Sequence, residues 1–267
     1  MSDAPPLRPV HRLPRLATGR SIGALILREM SSTYGRHWGG YIWEIIEPAA
    51  MIMVLALIFS AGFRTPALGT NFAIFMATGF LPFYLYSDVA NRTAQSLSYS
   101  RQLLSYPRVT FMDAILARLI LTLLTRALVS MIILTFILYV YDTRTILDLP
   151  PILLSFALAA LLGLGVGLMN AVLMTRFPIW RSLWAVITRP LIFLSNVIFL
   201  IERFPEPFST WLEWNPLVHV MALSRTGFYY SYRPDYISPG YVVGIALILA
   251  VIGVLFLRRY YRDFLEL

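Results

Sequence analysis

Six stretches of about 20 predominantly apolar residues recur along the chain, at 42–63, 72–90, 114–140, 152–174, 183–201 and 241–257. Each is long enough to cross a hydrocarbon core of about 30 Å as a helix. Lipid offers no partner to a bare peptide group, so such runs must close their hydrogen bonds internally. The pattern predicts an all-α integral membrane protein with six transmembrane helices. Only 13% of the residues are charged and mean hydropathy is +0.69. A soluble domain carries roughly 25% charged residues.

The charged minority is informative. The formal net charge is +8, and all 22 basic residues are arginine. A phosphate-binding P-loop needs a glycine-rich turn and a lysine that reaches the phosphates, and this sequence contains no lysine. The chain is therefore not its own P-loop ATPase, and Schiff-base chemistry is excluded on the same ground. There is no cysteine, which removes disulfides, thiol catalysis and thiolate metal sites. The three histidines, His11, His37 and His219, are too scattered for a metal site. Nucleic-acid binding fits so apolar a chain poorly.

Two short motifs are decoys. "GLGVG", Gly163 to Gly167, lacks the strand-turn-helix setting of a dinucleotide site. With Ala159 and Ala160, Gly163 and Gly167 make a small-xxx-small surface for close helix packing instead. "GRSIG", Gly19 to Gly23, fits the nucleophile-elbow pattern but has neither a preceding strand nor a soluble sheet to hold it.

Arginine placement sets the expected orientation. With six spans and both termini inside, about fourteen arginines fall on the cytoplasmic side. Arg64, Arg144, Arg203, Arg225 and Arg233 fall outside, a clear positive-inside bias. Residues 1–20 are Pro- and Arg-rich with no apolar core, and read as a cytoplasmic tail rather than a cleavable leader. The transmembrane domain occupies 21–267.

Residues 21–37 place Ile22, Leu25, Ile26, Met30, Thr33 and Tyr34 on one helical face, and Arg28, Ser31, Ser32 and Arg36 on the other. This predicts an amphipathic helix lying at the membrane interface. Gly35, Gly39 and Gly40 let the chain turn from it into the first span. That span opens on Glu44, Glu47 and Pro48.

Polar groups at depth are candidate functional residues. Arg118 and Arg126 lie two turns apart in the third span. Arg118 is expected to snorkel to the inner surface. The deeper Arg126 needs a water-filled cavity or a carboxylate, for which Glu47 is one possible partner. Gly79 and Pro82 interrupt the second span, whose inner half carries Tyr84, Tyr86, Asp88 and Asn91. These tyrosines suit either an interfacial belt or a polar passage that receives sugar rings, and Asn196 of the fifth span is read the same way. Residues 204–239 are too apolar for a solvated loop. Asn215-Pro216 divides them into two pieces too short to span, which predicts a re-entrant helical hairpin between spans five and six.

At this point the sequence resembles a known family. "LILREMSSTYGRHWGGYIWEIIEP", "GFLPFYLYSDVANRTAQSLSYSRQLLSYPRV" and "WNPLVHVMALSR" occur in the order seen in type-2 ABC exporter permeases. Within them, "WNPLVHV" and the "ILAR" of Ile115 to Arg118 are most similar to the membrane subunit of bacterial capsular polysaccharide exporters. The resemblance implies a homodimer in the inner membrane enclosing a channel, resting on two copies of a separate ABC ATPase that binds ATP and Mg. It implies no cofactor, metal or catalytic residue on this chain. The substrate would be a lipid-linked acidic glycan, taken onward by periplasmic and outer-membrane export proteins. Carried over by position, Arg28, Glu29, Arg36, Gln95, Arg101, Tyr106 and Arg108 would meet the ATPase. Glu47, Tyr84, Tyr86, Asn91, Arg118, Arg126 and Asn196 would line the channel. Trp214, Asn215, Pro216, His219 and Arg225 would form a periplasmic gate. One departure matters: relatives often carry a glutamate shortly before the motif's arginine, where this chain has Met221-Ala222. The alternatives are a permease for O-antigen, teichoic acid or small molecules, and an intramembrane glycosyl transferase. The transferase would need clustered acids in one loop, whereas Glu202, Glu206 and Glu213 are spread along theirs.

Overall fold

The computed structural model describes residues 17–34, 39–96, 110–141, 145 and 147–266, which are mostly helical with no strand among them. The helices are α1 (Ala17–Tyr34), α2 (Gly39–Gly62), α3 (Phe72–Ala94), α4 (Phe111–Val140), α5 (Leu149–Arg176), α6 (Trp180–Leu191), α7 (Phe208–Glu213), α8 (Pro216–Thr226) and α9 (Pro239–Glu266). A 3-10 turn, Ile201–Arg203, precedes α7.

Local chemistry sets several helix starts. Asn71 caps α3 by accepting the Ala73 N–H at 2.7 Å. Thr110 opens α4 with a reciprocal capping box: its hydroxyl accepts from the Asp113 amide, and Asp113 accepts from the Thr110 amide at 2.9 Å. Asn215 caps α8 and Pro216 occupies its first position, where a missing N–H costs nothing.

Five of the six apolar runs become helices long and apolar enough to cross a membrane: α2, α3, α4, α5 and α9. The fifth run, 183–201, does not continue as one helix. α6 stops at Leu191, just past Pro190, and the backbone of 192–200 is non-helical. Proline removes a rung of the helical ladder. Asn196 then adopts a left-handed φ of 59°, a conformation asparagine tolerates better than most residues. The run still tracks α3: Trp184 donates its indole N–H to Asn91, while the Val197 carbonyl abuts Gly79. Asn91 and Gly79 are about 18 Å apart along a helix. The run therefore follows α3 as half helix, half irregular chain.

α3 is the most enclosed of the long helices and α5 is its main partner. Gly163 and Gly167 are the reason they can approach. A Cβ on Gly163 would lie 2.7 Å from the Tyr86 carbonyl, and one on Gly167 would lie 2.8 Å from the Ala90 carbonyl. Gly165, on the opposite face, meets the Ala246 carbonyl of α9 in the same way. The expected small-residue surface thus serves two neighbours at once. By contrast α2 shows most of its apolar surface, including Met53, Val54, Leu57 and Ile58, and α6 has no buried residue.

Candidate functional site

A charge ladder runs through the end of the bundle where α1 lies. Glu29 of α1 accepts from Arg118 of α4 through Nε at 3.0 Å and Nη2 at 2.8 Å. Arg118 also donates to the Arg92 carbonyl of α3 at 3.1 Å. The Arg92 guanidinium reaches Glu44 of α2 at 2.7 Å, and the other oxygen of Glu44 meets Arg126 of α4 at 2.7 Å. Arg126 completes the series by pairing through Nε with Asp88 of α3. Positions 118 and 126 are two turns apart and 88 and 92 one turn apart, so each helix presents its pair on one face. Three arginines and three carboxylates balance. Each would be costly alone in hydrocarbon, by about 2.5–3.5 kcal/mol for an arginine on insertion scales.

This arrangement corrects several expectations. Arg126 pairs with Glu44 and Asp88, not Glu47, whose side chain is exposed on the next turn of α2. Arg118, expected to snorkel, is buried and reaches Glu29 of α1. Glu29 lies on the packed side of α1 with Ile22, Leu25, Ile26 and Met30, while Arg28 and Ser31 are exposed as expected. Gln95 is exposed at the end of α3. Arg36, Arg101, Tyr106 and Arg108 lie outside the described residues.

The opposite end holds a second polar network. Arg225 of α8 is fully buried. It donates through Nη1 to the Asn196 side-chain oxygen at 3.2 Å and through Nη2 to the Val197 carbonyl at 2.7 Å, and it stacks over Phe75 at 4.4 Å. The Asn196 amide donates to the hydroxyls of Tyr232 and Tyr236, both of which donate to Glu202, at 2.7 and 3.0 Å. Burial pushes Tyr232 up to about 12 and raises Tyr236 as well, so both hydroxyls keep their protons. Arg225 is thus joined to Glu202 through Asn196 and two tyrosines. Gly79 makes room for it: any Cβ there would lie 3.1 Å from the Arg225 guanidinium.

The remaining residues expected at a gate act as clamps between elements. Asn215 caps α8 and also donates to the Leu194 carbonyl at 3.0 Å and to Ser195 at 3.1 Å. His219 accepts the Ser238 amide at Nδ1, so Nε2 carries the proton that it donates to the Glu213 carbonyl at 2.8 Å. Trp214 exposes its ring while its carbonyl accepts from Tyr241. Of the residues expected in a passage, Tyr86 and Asn196 are enclosed by the chain's own helices.

Tyr84 instead faces a cleft of about 450 Å³ between α2, α3 and α6, lined by Met51, Leu55, Phe83, Ser87, Thr188 and Arg189 among others. Glu47 is one turn before Met51 and Asn91 one turn after Ser87, so both extend its walls toward the α1 end. Arg189 was not singled out from sequence. It hid inside an apolar run whose helical phase could not be read.

The model of the ABC-2 type transporter family matches residues 20–229. The chain belongs to that family of membrane proteins. It is 29% identical over 238 residues to the polysialic acid transport protein KpsM of Escherichia coli, covering 89% of this chain and 92% of that protein. It is 26% identical over 242 residues to the capsule polysaccharide export inner-membrane protein CtrC of Neisseria meningitidis serogroup B, covering 90% and 91%. To the capsule polysaccharide export inner-membrane protein BexB of Haemophilus influenzae it is 24% identical over 243 residues, covering 91% of each chain. With five long apolar helices among the described residues, it is a multi-pass membrane protein of that family.

Proposed function

We propose that this chain is the membrane half of an ATP-driven exporter that moves lipid-linked, acidic capsular polysaccharide across the bacterial inner membrane. Two copies enclose the conduit, and two copies of a separate ABC ATPase supply the power, with ATP and Mg bound there. Both termini are cytoplasmic, which puts α1 and the charge ladder on the ATPase side and α7–α8 on the periplasmic side. Periplasmic and outer-membrane export proteins take the polymer onward.

The observation that carries this reading is the ladder itself. Glu29 ties α1, which lies outside the spans, to α4, and through Arg92 and Glu44 to α3 and α2. A push on α1 is therefore delivered to three membrane helices through charge-assisted bonds rather than dissipated in lipid. A chain without a lysine for a P-loop needs such a handle for a partner's nucleotide cycle. The family membership and the capsule-export relatives, aligned over about nine-tenths of the chain, support the substrate class.

Deleting the gene should abolish surface polysaccharide while lipid-linked glycan accumulates inside the cell, and the intact chain should restore export. Normal surface polysaccharide in the deletion strain would refute the reading.

A further inference from the structure

Arg189 is exposed at the rim of a cleft and not on an open helix face. It shares a cleft with Tyr84 and Ser87 of α3, and Tyr84 lies midway along that helix. Among the described residues no carboxylate pairs with it, whereas Arg92 and Arg118 each have one and Arg126 has two. On α6 it stands at the edge of a polar strip, with Ser182, Ala185, Arg181 and Thr188 to one side and Val186 to the other, while Leu183 and Ile187 lie further round the helix. A guanidinium at mid-depth without a counter-charge demands water or an anion.

We propose that Arg189 is an anion-contact residue of the translocation path, which holds carboxylate or phosphate groups of the polymer midway across the membrane. This rests on the reading of the chain as an exporter of acidic glycan and names the contact within it. Arg181, two turns earlier and exposed, provides a second cation about 12 Å nearer the cytoplasmic mouth. The pair forms a basic track on one edge of α6. Spaced single cations suit a polymer that must advance, because each contact is strong enough to attract and weak enough to release. The planar guanidinium matches a carboxylate with two parallel bonds, and the adjacent Tyr84 ring and hydroxyl give a sugar a surface to slide on. Glu47 continues the α2 wall of the same cleft without pairing to Arg189, so the cation stays free for the polymer.

The native chain lacks cysteine, which permits a direct test in the complete complex with its ATPase in proteoliposomes. Arg189→Cys should react with a charged, membrane-impermeant methanethiosulfonate, whereas Ile187→Cys on the apolar side should not. Failure of Arg189→Cys to react, or equal reaction at both positions, would overturn the placement. In the same vesicles, with lipid-linked polysialic acid as the probe, Arg189→Gln should cut ATP-driven transfer by about tenfold or more, the worth of one charge-assisted bond, and Arg189→Lys should keep most of it. Wild-type transfer with Arg189→Gln unimpaired would refute the anion contact alone. Absence of transfer by the wild type would instead count against the exporter reading, and the labelling result would still judge whether Arg189 sits in water.

Discussion

Replacing Arg126 with methionine tests the charge ladder where its energetics are clearest. The arginine side chain is 9% exposed and neutralises two carboxylates, Glu44 at 2.7 Å and Asp88. In Arg126→Met, Glu44 keeps its bond to Arg92. Asp88 is left as the stranded charge. Removing one partner of a buried pair costs about 3–5 kcal/mol. The Asp88 side chain is 21% exposed, so water offsets part of the loss, and we expect the lower end, about 3 kcal/mol. Adding Asp88→Asn removes the stranded charge and should restore about 1–2 kcal/mol, a coupling of the size measured between contacting residues. The assay is reversible unfolding by sodium dodecyl sulfate in mixed micelles, followed by circular dichroism across the full double-mutant cycle. If Arg126→Met lies within about 0.5 kcal/mol of the parent, as for an unconnected surface change, or if the double mutant equals the sum of the singles, the reasoning fails.

Two glycines should be intolerant for a steric reason: Gly79→Ala and Gly167→Ala each set a methyl within 2.8 Å of a carbonyl oxygen, and the forced separation should cost about 1–3 kcal/mol in the same assay. Arg28 and Glu29 are neighbours with opposite fates, exposed and paired inward respectively; Arg28→Glu should weaken co-purification of the ATPase without lowering stability, while Glu29→Gln should lower stability by removing a carboxylate from Arg118. The tyrosine pair predicts an alkaline limit. Their folded-state pKa values lie above the ordinary value of 10, so their contribution is complete below pH 10 and is lost as pH rises toward 12, by up to about 1.4 kcal/mol per pH unit per tyrosine. Tyrosine ultraviolet titration with tryptophan fluorescence should show loosening in that window, and Tyr232→Phe should reduce the slope.

Hydropathy was enough to place five of the long helices, because a bilayer leaves a 20-residue apolar segment few alternatives. It failed for the fifth run. Composition does not register that Pro190 ends a helix there or that Asn196 turns left-handed, since both occur in continuous spans elsewhere. The glycine surface was legible from spacing alone, and Gly163 and Gly167 face α3 as that spacing requires. The partner of Arg126 was not legible. Glu44 and Glu47 differ by one turn, and which of them faces inward depends on the rotation of α2, set by packing against α3. Glu29 was misplaced for a related reason: on a short amphipathic helix a single acid at the face boundary can belong to either side, and only Arg118, 89 residues away, decides it. Glu202 joins Tyr232 and Tyr236 across 30 and 34 residues, a contact that no local pattern announces.

The most direct measurement is transfer of a fluorescent lipid-linked acidic glycan across proteoliposomes that contain this chain with or without its ATPase partner. The account predicts transfer only when both proteins and hydrolysable ATP are present, and no nucleotide hydrolysis by the chain alone. Transfer or hydrolysis by the chain without its partner, or a complete complex that hydrolyses ATP yet leaves the glycan where it was, would contradict it.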